Sequence, residues 1–225
     1  MNKLLLVVIF SGISFVFAQT SGRSFDTASM SGNMSGARLL AKAYASSNGT
    51  DNRLFHRYWM NGNVTLDNGK VVENEFLRYN LMSDELFWLR KKDFSIGVVY
   101  KNLVQEFTIF NDSARIADRF VKVRLRGANA SDSTDTYLQV LTEGKASLFV
   151  QRKAIITDNA ANGRKEMNGY YLCVDAQYHS FAPKLSSLCK TLGVDGKRMK
   201  SVIQENHLNI CNESELIQAI KKYNE

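Results

Sequence analysis

The stretch Val64-Thr65-Leu66-Asp67-Asn68-Gly69-Lys70-Val71-Val72 decides the fold of this chain, because it predicts two antiparallel strands joined by a tight turn. An Asn-Gly pair between apolar runs is the strongest short-range signal for a β-hairpin, since both residues tolerate the positive φ that such a turn needs. From Tyr58 to Phe110, apolar and polar residues continue to alternate with a period of two. This alternation is typical of strands with one buried face, so we expect a run of short antiparallel strands.

The same pattern predicts strands over most of the chain up to Ala176. The connections are short and rich in turn formers, and such connections allow only antiparallel neighbours. The predicted strands are Phe55–Met60, Asn63–Asp67, Lys70–Leu81, Glu85–Arg90, Ser95–Tyr100, Leu103–Phe110, Phe120–Arg126, Tyr137–Thr142, Ser147–Ile156 and Gly169–Ala176. Asn61-Gly62 is predicted to be a turn, and Thr157–Asn168 a polar loop. Strands at this spacing predict a sandwich, a partial barrel or a curved sheet.

Helical patterns begin after Pro183, the only proline of the chain. A proline at the first helical position costs no hydrogen bond, so we expect a helix over Lys184–Leu192. A second helix is expected from Asp195 to about residue 206, and a third after an Asn212 cap. Helices this short are marginal alone and have to dock on each other or on the sheet. The fold class is therefore α+β, a mainly antiparallel β meander followed by a short C-terminal helical tail.

The N-terminal part of the chain divides into two segments. Residues 1–18 hold one lysine, an apolar run and a Val16-Phe17-Ala18 ending, which is the pattern of a secretory signal peptide. Residues 19–52 are rich in Ser, Gly and Ala and predict a flexible leader, in which Ala37–Ala45 favours two helical turns. The apolar run is too short for a comfortable membrane span, so we expect an exported chain without a transmembrane segment after signal cleavage. The β domain is expected at 53–182 and the helical tail, packed on it, at 183–225.

The formal net charge of the 225 residues is +7, and the excess is spread along the chain. A mild positive charge favours association with anionic envelope surfaces, and an exported protein seldom meets nucleic acid. Lys122, Arg124 and Arg126 alternate with apolar residues and predict a basic stripe on one strand face. This stripe is a candidate binding surface for an anionic lipid or glycan. The alternative is a solvent face that discourages aggregation.

Three cysteines are present, Cys173, Cys189 and Cys211, and no two have the CxxC spacing of zinc or thioredoxin-like sites. Cys189 and Cys211 both fall in the predicted helical tail, where export permits a disulfide bond. Free thiols that pack as small apolar residues are the alternative.

Recognisable catalytic motifs are missing. His56, His179 and His207 lie in separate predicted elements without a metal-ligand spacing, and no GxSxG, HExxH, P-loop or GxGxxG motif occurs. Glu73 and Glu75 are predicted to share one solvated strand face. The sequence therefore favours a protein without catalytic activity, cofactor or metal, with a dispersed catalytic site as the alternative.

The hairpin also carries a family resemblance. Gly62–Val71 follows the pattern G-x-V-x-L-x-x-G-K-V and leads into an L-x-Y-N strand at Leu77–Asn80. With Asp84–Leu86 and a helical tail over Lys197–Asn224, these segments resemble a group of uncharacterised exported β-rich proteins of Bacteroidota-type bacteria. The resemblance spans about Arg53 to Glu225. It implies a periplasmic, cell-surface or secreted location, and it implies no activity and no site residues.

The sequence favours a non-enzymatic binding module for a lipid, a glycan or a protein. The alternatives are a structural or interaction component of the cell envelope, and a hydrolase with an unrecognised site. The expected partners are an anionic envelope lipid or glycan, or another envelope protein. A deep apolar cavity would favour the binding module and an exposed apolar patch an interaction component, whereas a cleft that joins His56 or His179 to a carboxylate would favour the hydrolase.

Overall fold

The computed structural model describes residues 53–111, 116–126, 133–157 and 163–225, with the backbone alone for residues 116 and 126. The predicted signal peptide and leader lie outside these ranges. The described strands are β1 Met60–Leu66, β2 Val71–Asn80, β3 Glu85–Leu89, β4 Ile96–Val99, β5 Val104–Asn111, β6 Ile116–Arg126, β7 Ser133–Thr142, β8 Ser147–Gln151, β9 Ala154–Ile156, β10 Arg164–Glu166, β11 Gly169–Val174 and β12 Gln177–Phe181. The helices are α1 Leu185–Leu192, α2 Gly196–Glu205 and α3 Glu213–Asn224.

Ten of these strands form one antiparallel sheet in the order β12-β11-β8-β7-β6-β5-β1-β2-β3-β4, and β9 and β10 pair as a separate ribbon. The order runs from one open edge to the other, so the sheet does not close. The predicted α+β class with a mainly antiparallel β body is confirmed. Of the architectures expected from the sequence, the protein adopts the curved sheet.

Contacts between distant strands show how strongly the sheet curves. Strands β2 and β7 are four positions apart in the sheet, so a flat sheet would separate them by about 19 Å. Yet the rings of Tyr79 on β2 and Tyr137 on β7 have centroids only 6.0 Å apart. The face that carries both rings is therefore concave, and we call it the inner face.

The hairpin predicted at Asn68-Gly69 is confirmed. Leu66 N–H donates to Lys70 O at 2.9 Å, and Gly69 N–H donates to Leu66 O at 2.8 Å. Gly69 has φ +78°, and the Asn68 side chain accepts from Lys70 N–H at 3.0 Å. Glycine supplies the positive φ and asparagine supplies the local acceptor, which are the roles these residues play in turns.

Asn61-Gly62 is not the predicted turn, because both residues lie inside β1. The register of β1 against β2 shifts between Gly62 and Val64, and a bulge of this kind bends and twists a strand. A Cβ on Gly62 would lie 2.3 Å from Thr108 O and 2.6 Å from Leu77 Cδ1. The glycine is required by the close approach of its two neighbouring strands and not by a reversal of the chain.

Three other sequence predictions are wrong in detail. Phe55–Met60 is not a strand: Leu54 makes an isolated bridge to Asn80, and the chain then bends so that the Phe55 ring packs 5.2 Å from that of Phe120. The polar loop at 157–168 contains β10, and the strand at 147–156 is divided into β8 and β9. Strand β12 escaped prediction because four of its five residues are exposed, so it has no buried face to impose an alternation.

The inner face holds a continuous core that is covered in two ways. Opposed residues run across it in one row, Val64, Phe107, Phe120, Gln139, Val150, Tyr170 and Phe181. On the β2–β7 side, the curved sheet itself covers the aromatic side chains of its inner face. On the β8–β12 side, the helices supply the cover with a buried set from all three, namely Leu188, Met199, Ile203, Leu216, Ala219 and Ile220. The predicted docking of the helical tail on the sheet is thus observed.

The third helix fixes the tail at its two ends. As predicted, Asn212 caps α3 by accepting from Ser214 N–H. At the other end, the Asn224 amide exchanges two hydrogen bonds of 2.9 Å with the backbone of Ala146 in the β7–β8 turn. Pro183 precedes the first helix rather than opening it, since Lys184 occupies the N-cap.

The bulge in β1 makes a first prediction. We expect Gly62→Ala to lower the free energy of unfolding by about 1–3 kcal/mol, because the new methyl group overpacks the contact with Thr108 and Leu77. The measurement is urea unfolding followed by tryptophan fluorescence. Gly97→Ala is the matched control, since its Cβ would meet only Trp88 Cε3 at 3.7 Å. Equal stability of the two variants would contradict the argument.

Candidate functional site

A chain of hydrogen-bonded side chains crosses the inner face between its two halves. The His56 Nε2 atom lies 3.1 Å from Asp118 Oδ2. Gln139 Nε2 donates to the other Asp118 oxygen at 2.7 Å, and its own Oε1 accepts from Arg152 Nε at 2.6 Å. Gln139 is the polar member of the inner row, so it needs these partners to offset its burial.

The chain of contacts continues from Arg152 to the helices. Its guanidinium donates to both oxygens of Glu213 at 2.7 and 2.8 Å, which is the bidentate geometry that favours arginine over lysine. Tyr170 Oη donates to Glu213 Oε2 at 2.9 Å. Burial, followed by this hydrogen bond and the Glu213 charge, raises the pKa of Tyr170 to about 12. Glu213 opens α3, where the helix dipole favours an anion.

We call these six side chains the polar chain: His56, Asp118, Gln139, Arg152, Glu213 and Tyr170. They join the segment before β1 to β6, β7, β11, the β8–β9 connection and α3. Within the described ranges, the one side chain that hydrogen-bonds His56 is Asp118, so no serine, threonine or cysteine is paired with it as a nucleophile would be. The geometry is that of a fully paired structural network, which also contains the His–Asp pair that a hydrolase would need.

A second feature lies on the opposite, outer face of β6, β7, β8, β11 and β12. Val121 lies opposite Leu138, Val140 opposite Phe149, and Phe149 opposite Tyr171. Each pair lies on adjacent strands, so the side chains form one contiguous belt across the sheet. We call it the outer apolar surface, and its members are Val121, Val123, Leu125, Leu138, Val140, Phe149, Tyr171, Cys173 and Tyr178.

The outer apolar surface combines a packed centre with a half-exposed periphery. Leu138, Val123 and Phe149 are buried by their neighbours, whereas Val140 and Tyr171 are half-buried. At one side the belt meets the charged residues Glu106, Arg119 and Glu143, with Arg119 paired to both carboxylates. An apolar centre with a polar rim is the anatomy of a protein interface.

The predicted basic stripe is largely neutralised. Lys122 Nζ lies 2.9 and 2.8 Å from the two Asp67 oxygens and is mostly buried. Arg124 is exposed and its Nε lies 3.2 Å from Asp135 Oδ1. The side chain of Arg126 lies outside the described residues. The two described cations thus have carboxylate partners, which leaves them little charge for an anionic ligand.

The cysteines are free thiols, so the considered Cys189–Cys211 disulfide is not formed. Cys211 Sγ instead contacts the carbonyl oxygen of Pro183 at 3.3 Å. Cys173 lies on the outer apolar surface, and burial raises the pKa of its thiol. A thiol in such an environment behaves as a small apolar residue rather than as a nucleophile.

Glu73 and Glu75 do not share a strand face as predicted. Asn74, between them, has φ +57°, and this break in the alternation leaves Glu73 exposed and Glu75 buried. Glu75 Oε2 accepts from Trp88 Nε1 at 2.9 Å. Of the other histidines, His179 and His207 are exposed, and no cluster of His, Cys, Asp and Glu among the described residues is arranged to hold a metal.

No protein-family model, curated protein or solved structure matches this chain. The resemblance to exported proteins of Bacteroidota-type bacteria therefore stays a prediction. In the ranges that the structure describes, none of the helices combines the length and the apolar character needed to cross a membrane.

Sequence reasoning missed most of the polar chain. Asp118, Gln139 and Arg152 carry no motif, and the contacts they make join residues far apart in sequence, 62 positions for His56 and Asp118. The outer apolar surface does carry a sequence signal: Val121, Val123 and Leu125 are the apolar residues that alternate with Lys122, Arg124 and Arg126, so they share one strand face. What the alternation cannot show is which face of a strand lies outside.

The polar chain makes a second prediction. We expect Arg152→Ala to destabilise the protein by about 3 kcal/mol, because Glu213 loses its ion-pair partner and Gln139 Oε1 loses its donor in a largely buried site. Arg124→Ala is the matched control: its side chain is 70% exposed against 15% for Arg152, and we expect a change below about 1 kcal/mol. Both are measured by urea unfolding. A loss for Arg152→Ala no larger than that of the control would show that the network adds nothing to stability.

Proposed function

We propose that this protein is a non-enzymatic binding module of the cell envelope and that it binds another protein through the outer apolar surface. The observation that carries the proposal is the contiguous belt of apolar side chains on the outer face of five adjacent strands. The surface is partly exposed, at the half-buried Val140 and Tyr171 and at the exposed Tyr178, and contiguous apolar surface that remains accessible is typical of interaction sites.

A protein fits this surface better than the other two ligand classes considered. An anionic lipid or glycan needs free cations, and Lys122 and Arg124 are already paired with carboxylates. A ligand inside the curved sheet needs space, and the rings of Tyr79, Phe107 and Tyr137 fill the β2–β7 half at 1% exposure or less. The outer apolar surface offers aromatic and aliphatic contact area with a charged rim, which is what protein interfaces use.

Export is part of the same proposal. It is supported by the apolar N-terminal run that ends in Val16-Phe17-Ala18, and by the resemblance to exported proteins carried by Gly62–Val71. An envelope location places the surface among other envelope proteins, which is the class of partner that we propose.

The test is photo-crosslinking in the producing cell, with a photoreactive aromatic residue in place of Tyr171. We expect one specific crosslinked protein, and the purified pair should bind in solution. Val140→Glu should weaken that binding at least about ten-fold, since it places a charge among the accessible apolar side chains of the interface. Phe94→Glu, a charge at a 74% exposed position between β3 and β4 at the opposite end of the sheet, should leave affinity unchanged. Absence of a specific crosslink, or equal effects of the two variants, would overturn the proposal.

A hydrolase is the second candidate, and the contact between His56 and Asp118 is the observation that favours it. A paired histidine and carboxylate can activate a water molecule or a substrate hydroxyl. The purified mature protein would then cleave model ester, amide or glycoside substrates, and His56→Asn would abolish turnover while the exposed His179→Asn would not. Equal turnover by the two variants would exclude this candidate.

A further inference from the structure

The two-stranded ribbon of β9 and β10 continues from the end of the β8–β11 pair and belongs to neither the polar chain nor the outer apolar surface. In this ribbon, Ile155 lies opposite Lys165. Two positions along, Met167 N–H donates to Lys153 O at 2.9 Å, so these two residues are opposed as well. Side chains that are opposed, or two positions apart on one strand, share a face. We call these four side chains the ribbon face: Lys153, Ile155, Lys165 and Met167.

The two faces of the ribbon differ in burial. Ala154 is 4% exposed and belongs to the buried core, so one side of the ribbon lies against the core and the ribbon face points away from it. On the ribbon face, Ile155 is 40% and Met167 51% exposed. Ile156 follows the same alternation as Ala154 and yet is 56% exposed. The core therefore no longer covers the ribbon at this residue, and apolar side chains are accessible on both of its sides.

The lysines of the ribbon face carry unpaired charges. Lys153 and Lys165 are both exposed, and neither makes an ion pair or a side-chain hydrogen bond with a residue of the described ranges. The described part of the ribbon holds one carboxylate, Glu166, which lies on the other face, where its Oε1 accepts from Arg164 at 2.6 Å. The ribbon face thus differs from the predicted basic stripe, whose described cations already have carboxylate partners.

We propose that the ribbon face is a second binding surface, which holds the protein against a bilayer that contains anionic lipid. The lipid phosphates attract Lys153 and Lys165, and Ile155 and Met167 enter the boundary between head groups and acyl chains. Lysine suits this position, because its aliphatic stem lies along apolar surface while its ammonium group stays at the level of the phosphates. The ribbon face shares no residue with the outer apolar surface, so this contact adds to the function proposed above.

A bilayer accounts for both kinds of side chain on the ribbon face. Each lysine is opposed to an apolar residue, and the Cβ atoms of such pairs lie about 5 Å apart. Anionic head groups directly above hydrocarbon present the same two chemistries side by side. An acidic protein segment would pair with Lys153 and Lys165 but would leave Ile155 and Met167 in contact with water. Ile156, next to them, would add apolar contact at the same level of the bilayer.

The test is co-sedimentation of the mature chain, residues 19–225, with lipid vesicles. One set contains phosphatidylglycerol and phosphatidylcholine in equal parts, and the other contains phosphatidylcholine alone. We expect binding to the anionic vesicles that weakens as salt is added, and little binding to the neutral ones. Lys153→Glu/Lys165→Glu should lower the partition coefficient at least about ten-fold, since each lysine near an anionic surface contributes about five-fold. Ile155→Ser/Met167→Ser, which keeps both charges, should lower it at least about five-fold by removing apolar contact.

Lys197→Glu/Lys200→Glu is the matched control, because it changes the net charge by the same amount at two exposed lysines that have no ion pair with a described residue. These lysines lie on α2, which begins beside the β7–β8 turn, where Lys145 pairs with Asp195 at 2.9 Å. The ribbon continues from the other end of β8, after Gln151. Charges that lie away from the bilayer are screened by salt, so the control should bind within about two-fold of the parent.

The comparison of anionic with neutral vesicles uses the unmodified sequence, so it does not depend on how the variants fold. Absence of binding to the anionic vesicles would overturn the proposal, as would an equal loss in the control. A loss for the lysine variant without a loss for Ile155→Ser/Met167→Ser would assign the ribbon face to a purely electrostatic contact, such as an acidic protein segment, and would also overturn it. The vesicles contain no protein partner, so a negative result here leaves the crosslinking test of the proposed function intact.

Discussion

The contact between the β2–β3 turn and β7 is the constraint on which the rest of the structure depends. Asp84 accepts hydrogen bonds from Tyr79 Oη, Lys101 Nζ and Thr136 Oγ1, at 2.6, 2.6 and 2.8 Å. These bonds hold together two strands that a flat sheet would keep four spacings apart. Three short helices cover only the β8–β12 half of the inner face, so the other half has to bury its apolar side chains by curling over them. Burial and the Asp84 carboxylate raise the pKa of Tyr79, which keeps its hydroxyl a donor in this contact.

The polar chain follows from this two-part core. The half of the inner face that the curled sheet covers meets the half that the helices cover, and neither supplies a complete apolar lining at this junction. Gln139 occupies the inner row there. Buried polar groups cost free energy unless each is paired; Gln139 is paired with Asp118 and Arg152, and Arg152 is paired with Glu213. The same contacts fix α3 to the sheet, because Glu213 lies in its first turn. A network of this kind sets the orientation of the tail more strictly than apolar packing alone.

Filling of the inner face has a consequence for binding. In a strand, neighbouring side chains alternate between faces, so the strands that supply Phe120, Gln139 and Val150 to the core present Val121, Leu138 and Phe149 on the other side. Because the inner face is occupied by core, the interaction that we propose uses the outer face. The proposed interaction through the outer apolar surface rests on this division of the two faces.

The sequence by itself determined the local features of the fold. The period-two alternation, the turn at Asn68-Gly69 and the Asn212 cap each depend on residues a few positions apart, and all three are present as predicted. The tertiary structure alone decided that Gly62 is a packing requirement, that Lys122 is paired with Asp67, and that His56 meets Asp118. The physical reason is distance along the chain: the last two contacts join residues 55 and 62 positions apart. They form only once the sheet curves, and curvature is the sum of bulges and long-range contacts that no local pattern records.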